Sequence, residues 1–242
     1  MRATLSLTLI PAIAASATLP ASVDWSAIGA VSAVGDEGSC GGGCWAFAAS
    51  GAVEGALYAK TKNMTPLSTQ QLVNCVYTNH DSCASGGTME DAFNYIRDNG
   101  GLCSAEDWQF IPENRAAGTC SVDCNTVSGS AISGYRKVAG SEDALMEAVA
   151  RQPVAVAVQG LTGPFAAYKG GVLTGQCGTA LDHGLLLVGY GETEDGVKYW
   201  KLKNDFGEDW GEAGYVKIER NGGQNGNKGM CGILMDATYP LI

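Results

Sequence analysis

Nine cysteines in a chain of 242 residues constrain this sequence more than any other feature. They stand at positions 40, 44, 75, 83, 103, 120, 124, 177 and 231. Eight can pair as four bridges and one is left over, which predicts an oxidising compartment, a cross-linked fold and one thiol with a role of its own. Metal ligation is the competing use of cysteine, and it fails on spacing. There is no Cys-x-x-Cys pair, and the only histidines, His80 and His183, lie far apart in sequence. No metal site and no cofactor are expected.

Composition narrows the function classes further. The formal net charge is −10, with 15 Lys and Arg against 25 Asp and Glu. A phosphate-binding surface needs clustered basic residues, so nucleic acid is excluded as a partner. The 34 glycines are about twice the usual share of roughly 7% and point to turns and tight loops. Arg2, the apolar run Leu5 to Ala14 and then Ala15-Ser16-Ala17 read as a secretory signal over residues 1–18; the competing reading is an apolar tail. The run is too short to span a bilayer, and no later stretch is longer, so no membrane partner is expected. Asn63-Met64-Thr65 is a glycosylation sequon. The expectation is a monomer of the secretory pathway, ending in a lysosome, a vacuole or outside the cell.

Along the chain, residues 44 to about 100 read as helices. Cys44 to Lys60 is rich in Ala, Ser68-Thr69-Gln70-Gln71 has capping-box spacing, and Thr88 caps a third helix that stops at Gly100-Gly101. The second half reads as strands: Val154 to Val158, Leu185 to Tyr190, Val197 to Lys203 and Tyr215 to Glu219, with one helix from Glu142 to Arg151 behind Ser141. This predicts an α+β fold, mainly helical over about 19–130 and mainly β over about 131–235.

A thiol near neutrality is mostly protonated and is activated by a helix N-terminus, a nearby imidazole and partial exposure. Cys44 opens the Ala-rich helix behind Gly41-Gly42-Gly43 and is the candidate nucleophile. The competing reading makes it another half-cystine. His183, after Asp182, is the candidate base. Asn204, in Lys203-Asn204-Asp205-Phe206-Gly207, is the candidate for the third group that holds the imidazole, with Phe206 shielding that contact.

Gly38-Ser39-Cys40-Gly41 with Cys44-Trp45-Ala46-Phe47, then Leu181-Asp182-His183-Gly184, then Lys203-Asn204 with Gly207-Glu208-Asp209-Trp210-Gly211, resemble the three signatures of papain-like cysteine peptidases. The Cys44-to-His183 separation of roughly 140 residues is the spacing known for that family, not one deduced from this chain. Leu19-Pro20, Gly86-Gly87, Gln152-Pro153-Val154 and Cys231-Gly232 extend the resemblance over about 19–242. It implies two lobes, one helical and one β-barrel-like, with a peptide cleft between them. It implies a Cys44–His183–Asn204 catalytic set and support from Phe206 and Trp210. It also implies bridges Cys40–Cys83, Cys75–Cys120 and Cys177–Cys231, which leaves Cys103 and Cys124 for a fourth. Gly86, Gly87, Met89, Ala157, Leu181, Gly184 and Asp236 would line the substrate site. Asp236 has two readings, a partner for a basic side chain or a solvated carboxylate.

Four departures sit at the chemistry. Glu37 stands where the resemblance implies the Gln of the oxyanion hole, and an ionised Glu only accepts hydrogen bonds. Three residues instead of two separate Cys40 from Cys44. Asp205-Phe206 replaces Ser-Trp. The mature-like start at Leu19 leaves no room for a propeptide. Two functions follow: an endopeptidase acting on polypeptides and open to cystatin-like inhibitors, or a pseudoprotease that binds peptides or inhibitors without turnover.

Overall fold

The structure, a computed structural model, describes residues 18–77, 80–113, 118–121, 123–222 and 226–242. The expected signal segment, apart from Thr18, lies outside them.

Helix α1 (Cys44–Thr61) is the pivot of the molecule. Ala48, Ala49, Ala52 and Ala56 keep it slim, and it is buried on nearly every side from Trp45 to Leu57. A helix that is apolar all round belongs in the middle of a fold. It packs on α2 (Thr69–Cys75) and α4 (Met89–Asn99) on one side and on the sheet on the other. The short α3 (Ser82–Ser85) carries Cys83 and was not foreseen, because four residues show no periodicity.

The caps form as local hydrogen bonds. Ser68 Oγ accepts from Gln71 N–H at 3.1 Å, and Thr88 Oγ1 from Asp91 N–H at 3.1 Å. Only half of the capping box at Ser68 forms. The Gln71 side chain turns away to take Cys103 N–H and to donate to the Tyr95 hydroxyl, while Ser68 N–H goes to the Cys103 carbonyl.

The rest is one sheet: β2 (Gly134–Lys137), β8 (Ala237–Leu241), β3 (Val154–Val158), β5 (His183–Glu192), β6 (Lys198–Lys203), β7 (Tyr215–Glu219) and β4 (Val172–Leu173), in that order. Its pairings are antiparallel except β4 with β7. The sheet is open, with β2 and β4 at its edges, and does not close into the barrel-like form expected. β1 (Val23–Asp24) crosses from the helical half to pair with β5. Helix α5 (Glu142–Val149), capped by Ser141, ends two residues before the expected Arg151; Pro153 disfavours helical geometry in the residue before it. The short α6 (Gly163–Ala166) follows β3. Strands β2 and β8 were missed because β2 is half exposed and β8 contains Pro240, and neither alternates cleanly.

Four disulfides join Cys40 to Cys83, Cys75 to Cys120, Cys103 to Cys124 and Cys177 to Cys231. Cys44 is free.

Candidate active site

The site forms where the N-terminus of α1 meets the start of β5 and the end of β6. The three-glycine spacer closes as a turn, Gly43 N–H donating to Cys40 O at 3.0 Å, and α1 begins at Cys44. The extra residue is therefore absorbed ahead of the helix. Gly42 lies against α3: a Cβ there would sit 2.7 Å from the carbonyl oxygens of Ser82 and Cys83.

His183 is the first residue of β5 and is 2% exposed. Its Nε2 bonds Asn204 Oδ1 at 2.7 Å, and its Nδ1 is buried with no partner. Phe206 stacks on the imidazole with centroids 4.8 Å apart. Trp210 meets Phe206 edge-on and stacks on Phe165. This aromatic wall keeps water from the His183–Asn204 bond. Burial pushes the His183 pKa down, while the Asn204 bond and the Asp182 charge oppose it. Asp182 is itself tied to the backbone N–H of Gly160 at 2.7 Å.

Glu37 is buried, and its Oε2 accepts from Gly43 N–H at 3.0 Å. Burial raises its pKa to about 7, opposed by the nearby backbone N–H groups of Gly43 and Cys44. The Cys44 thiol is pushed up to about 12, first by burial, then by the Asp205 charge; Gly184 N–H opposes this, and Glu37 adds to it. Burial and the two carboxyl charges disfavour a thiolate, and the Gly184 N–H favours it.

Cys44 and His183 line one cleft of about 420 Å³. Gly86, Gly87, Met89, Ala157, Leu181, Gly184 and Asp236 line the same cleft. Gly87 must be Gly, since a Cβ would meet the rings of Trp45 and Tyr77 at 2.6 Å. The structure thus brings Cys44, His183 and the expected substrate-site residues to one cleft, with Asn204 and Phe206 against His183 behind it.

Two further residues were not singled out from the sequence. Glu90 lines the cleft beside Asp236, and Lys137 from β2 reaches both, at 2.7 Å from Glu90 Oε1 and 3.8 Å from Asp236 Oδ1. Asp236 is neither bare nor fully solvated; burial and the Glu90 charge raise its pKa. Asp205, read only as a replacement for Ser, is 2% exposed and holds Oδ1 3.5 Å from His183 Nε2. Its place beside Asn204 was the only signal in the sequence.

The profile described as "Papain family cysteine protease" matches residues 19–241. Senescence-specific cysteine protease SAG39 of Oryza sativa subsp. indica is 46% identical over 225 residues, covering 92% of this chain and 63% of that protein. Vignain of Ricinus communis is 45% identical, covering 93% and 61%. The chain thus spans under two thirds of the length of these curated relatives. Among solved structures, the bromelain protease from Ananas comosus in complex with the E64 inhibitor superimposes with a TM-score of 0.83 at 38% identity, covering 93% of this chain and 100% of that one. The proform of the ragweed pollen allergen Amb a 11 gives 0.83 at 39% identity, over 95% and 67%. With its two-part fold and the cleft described above, this chain belongs to the papain family of cysteine proteases.

Proposed function

We propose that this chain is a cysteine endopeptidase acting through Cys44, His183 and Asn204. One observation carries the reading. The free thiol opens α1 in the same cleft as an imidazole whose Nε2 is held by Asn204 and whose Nδ1 has no partner. That Nδ1 is the atom left to take the thiol proton. The thiolate then attacks the carbonyl carbon of a bound peptide, and the C–N bond breaks as His183 returns the proton to the leaving amine. Water hydrolyses the acyl-enzyme with His183 again as base. The relatives' names and the E64-bound neighbour support a peptide-binding cleft.

Glu37 sets the pH range. Only the protonated carboxyl donates to an oxyanion, and that form is populated below about 7. Turnover is therefore expected to be highest in acid and to fall as pH rises through 7. Above that pH the ionised carboxyl accepts from Gly43 N–H and has no proton to donate. The same contact, with the thiol pushed to about 12, favours the second reading, a peptide- or inhibitor-binding pseudoprotease. We further infer polypeptide substrates, cystatin-like proteins as inhibitors, a monomer, and a secretory, vacuolar or lysosomal setting consistent with the four disulfides.

The test is hydrolysis of fluorogenic dipeptide amides from pH 4 to 8 under mild reduction, beside Cys44→Ala. Turnover at acid pH that the variant lacks supports the peptidase. Equal rates for folded wild type and variant at every pH overturn it in favour of the binding module.

A further inference from the structure

Asp205 is a buried carboxyl beside the candidate catalytic set to which neither reading gives a role. It follows Asn204 at the end of β6, and neither of its oxygens has a hydrogen-bond partner. A buried polar group left unbonded costs about 1–3 kcal/mol, more when charged. Oδ1 lies 3.5 Å from His183 Nε2, flanking the shorter bond from Nε2 to Asn204. On its other side is the loop that carries Glu37. Glu37 N–H donates to the Asp205 carbonyl at 2.8 Å, Gly207 N–H to the Gly35 carbonyl at 3.0 Å, and Asp36 forms a β-bridge with Phe206. These three contacts stitch the Glu37 loop to the Asp205 turn. Glu37 and Asp205, two residues that depart from the family pattern, therefore stand opposite each other across this antiparallel bridge, the Glu37 carboxyl on Gly43 N–H and the Asp205 carboxyl beside the imidazole.

Two buried carboxyls in electrostatic contact do not both ionise easily. We propose that Asp205 is a second positioning carboxyl of this site, sharing one proton with Glu37, so that the pair presents a single negative charge to Cys44 and His183. With the proton on Glu37, its hydroxyl can donate to an oxyanion while the Asp205 anion faces the edge of the imidazolium. With the proton on Asp205, the ionised Glu37 accepts from Gly43 N–H and has no proton to donate at the oxyanion position. One proton moves between two carboxyls, and the charge balances in each arrangement. Burial and the Glu37 charge hold Asp205 well above the usual carboxylate range, in keeping with a shared proton. The other charged groups that face Asp205 are His183 on β5, Lys203 on β6, Asp36 on the loop and Cys44 on α1. None of these is altered in the carboxyl variants below.

The catalytic half of this inference rests on the peptidase reading; the shared proton does not. The test therefore reads the thiol directly: the rate of Cys44 alkylation by iodoacetamide from pH 4 to 10, in the whole chain, with Cys44→Ala as blank. In Glu37→Gln or Asp205→Asn alone, the remaining carboxyl ionises and replaces the lost charge. The pH of half-maximal rate is then expected to stay within about half a unit of wild type. In the double variant the charge is gone, and the midpoint is expected to fall by about one unit or more. Equal shifts that add overturn the shared proton, and so does an unmoved double variant. Carbon-13 titration of both carboxyls in the wild-type chain covers the case of a variant that fails to fold. Both signals should respond in the same two steps, whereas one independent step each overturns the proposal. Absent peptide turnover with this non-additive alkylation profile would sink the peptidase and leave the carboxyl pair standing.

Discussion

At the residue scale, the chemistry turns on Glu37. Its buried carboxyl accepts from Gly43 N–H, where the family reading asks for a donor. Loss of one oxyanion donor costs roughly 100- to 1000-fold in other hydrolases. Glu37→Gln restores an amide that donates at every pH. The expected result is a rise in kcat/KM of at least about tenfold at pH 8 with little change at pH 5. A gain that is the same at both pH values would show that Glu37 does not set an acid preference. Specificity is also argued at single residues. Glu90 and Asp236 put two carboxyls against one Lys137 in the cleft, which leaves room for a second cation. Asp236→Ala should lower the preference for Arg over Phe, two residues before the cut, by about three- to tenfold, since the pair is partly exposed and screened. An unchanged ratio across a matched substrate series refutes the role.

At the element scale, the site depends on how α1 begins. The helix starts at Cys44 because Gly41 to Gly43 close a turn tight enough to absorb one extra residue beneath α3. Gly42→Ala forces a Cβ to within 2.7 Å of two carbonyl oxygens. The expected cost is about 1–3 kcal/mol in denaturant unfolding, as for other overpacked sites, together with slower Cys44 alkylation. A neutral result would mean that the spacer moves aside freely. The α1 N-terminus was legible in sequence from the glycines, the alanines and Cys44. The helix caps were legible from Ser68, Thr88 and Ser141. The edge strands β2 and β4, and β8 beside β2, were not, because short or half-exposed strands carry no clean alternation.

At the scale of the whole molecule, the cleft exists because the helical half and the sheet both pack on α1. The bridge from Cys40 to Cys83 ties the nucleophile loop to α3 across a sequence separation of 43 residues. Replacing both by Ser is expected to lower the unfolding free energy by about 2–4 kcal/mol. It should also slow Cys44 alkylation more than replacing Cys177 and Cys231, which lie in the other half. Equal effects of the two pairs on the thiol would show that the bridge acts on stability alone.

Much of this protein was determined locally. The odd cysteine, the ordered motifs around Cys44, His183 and Asn204, and the helical half followed by the β half can all be read from residue types and their order. These depend on covalent geometry, caps and short-range periodicity, which neighbours in sequence control. Tertiary structure alone decided that the Glu37 carboxyl takes the Gly43 N–H at the head of α1 and that Lys137 reaches Glu90 and Asp236. It alone placed the Asp205 carboxyl against His183 with no hydrogen bond to either of its oxygens. Those facts concern charge buried between elements far apart in the chain. Burial and long-range contact set the energy of a charge, and no local pattern encodes either.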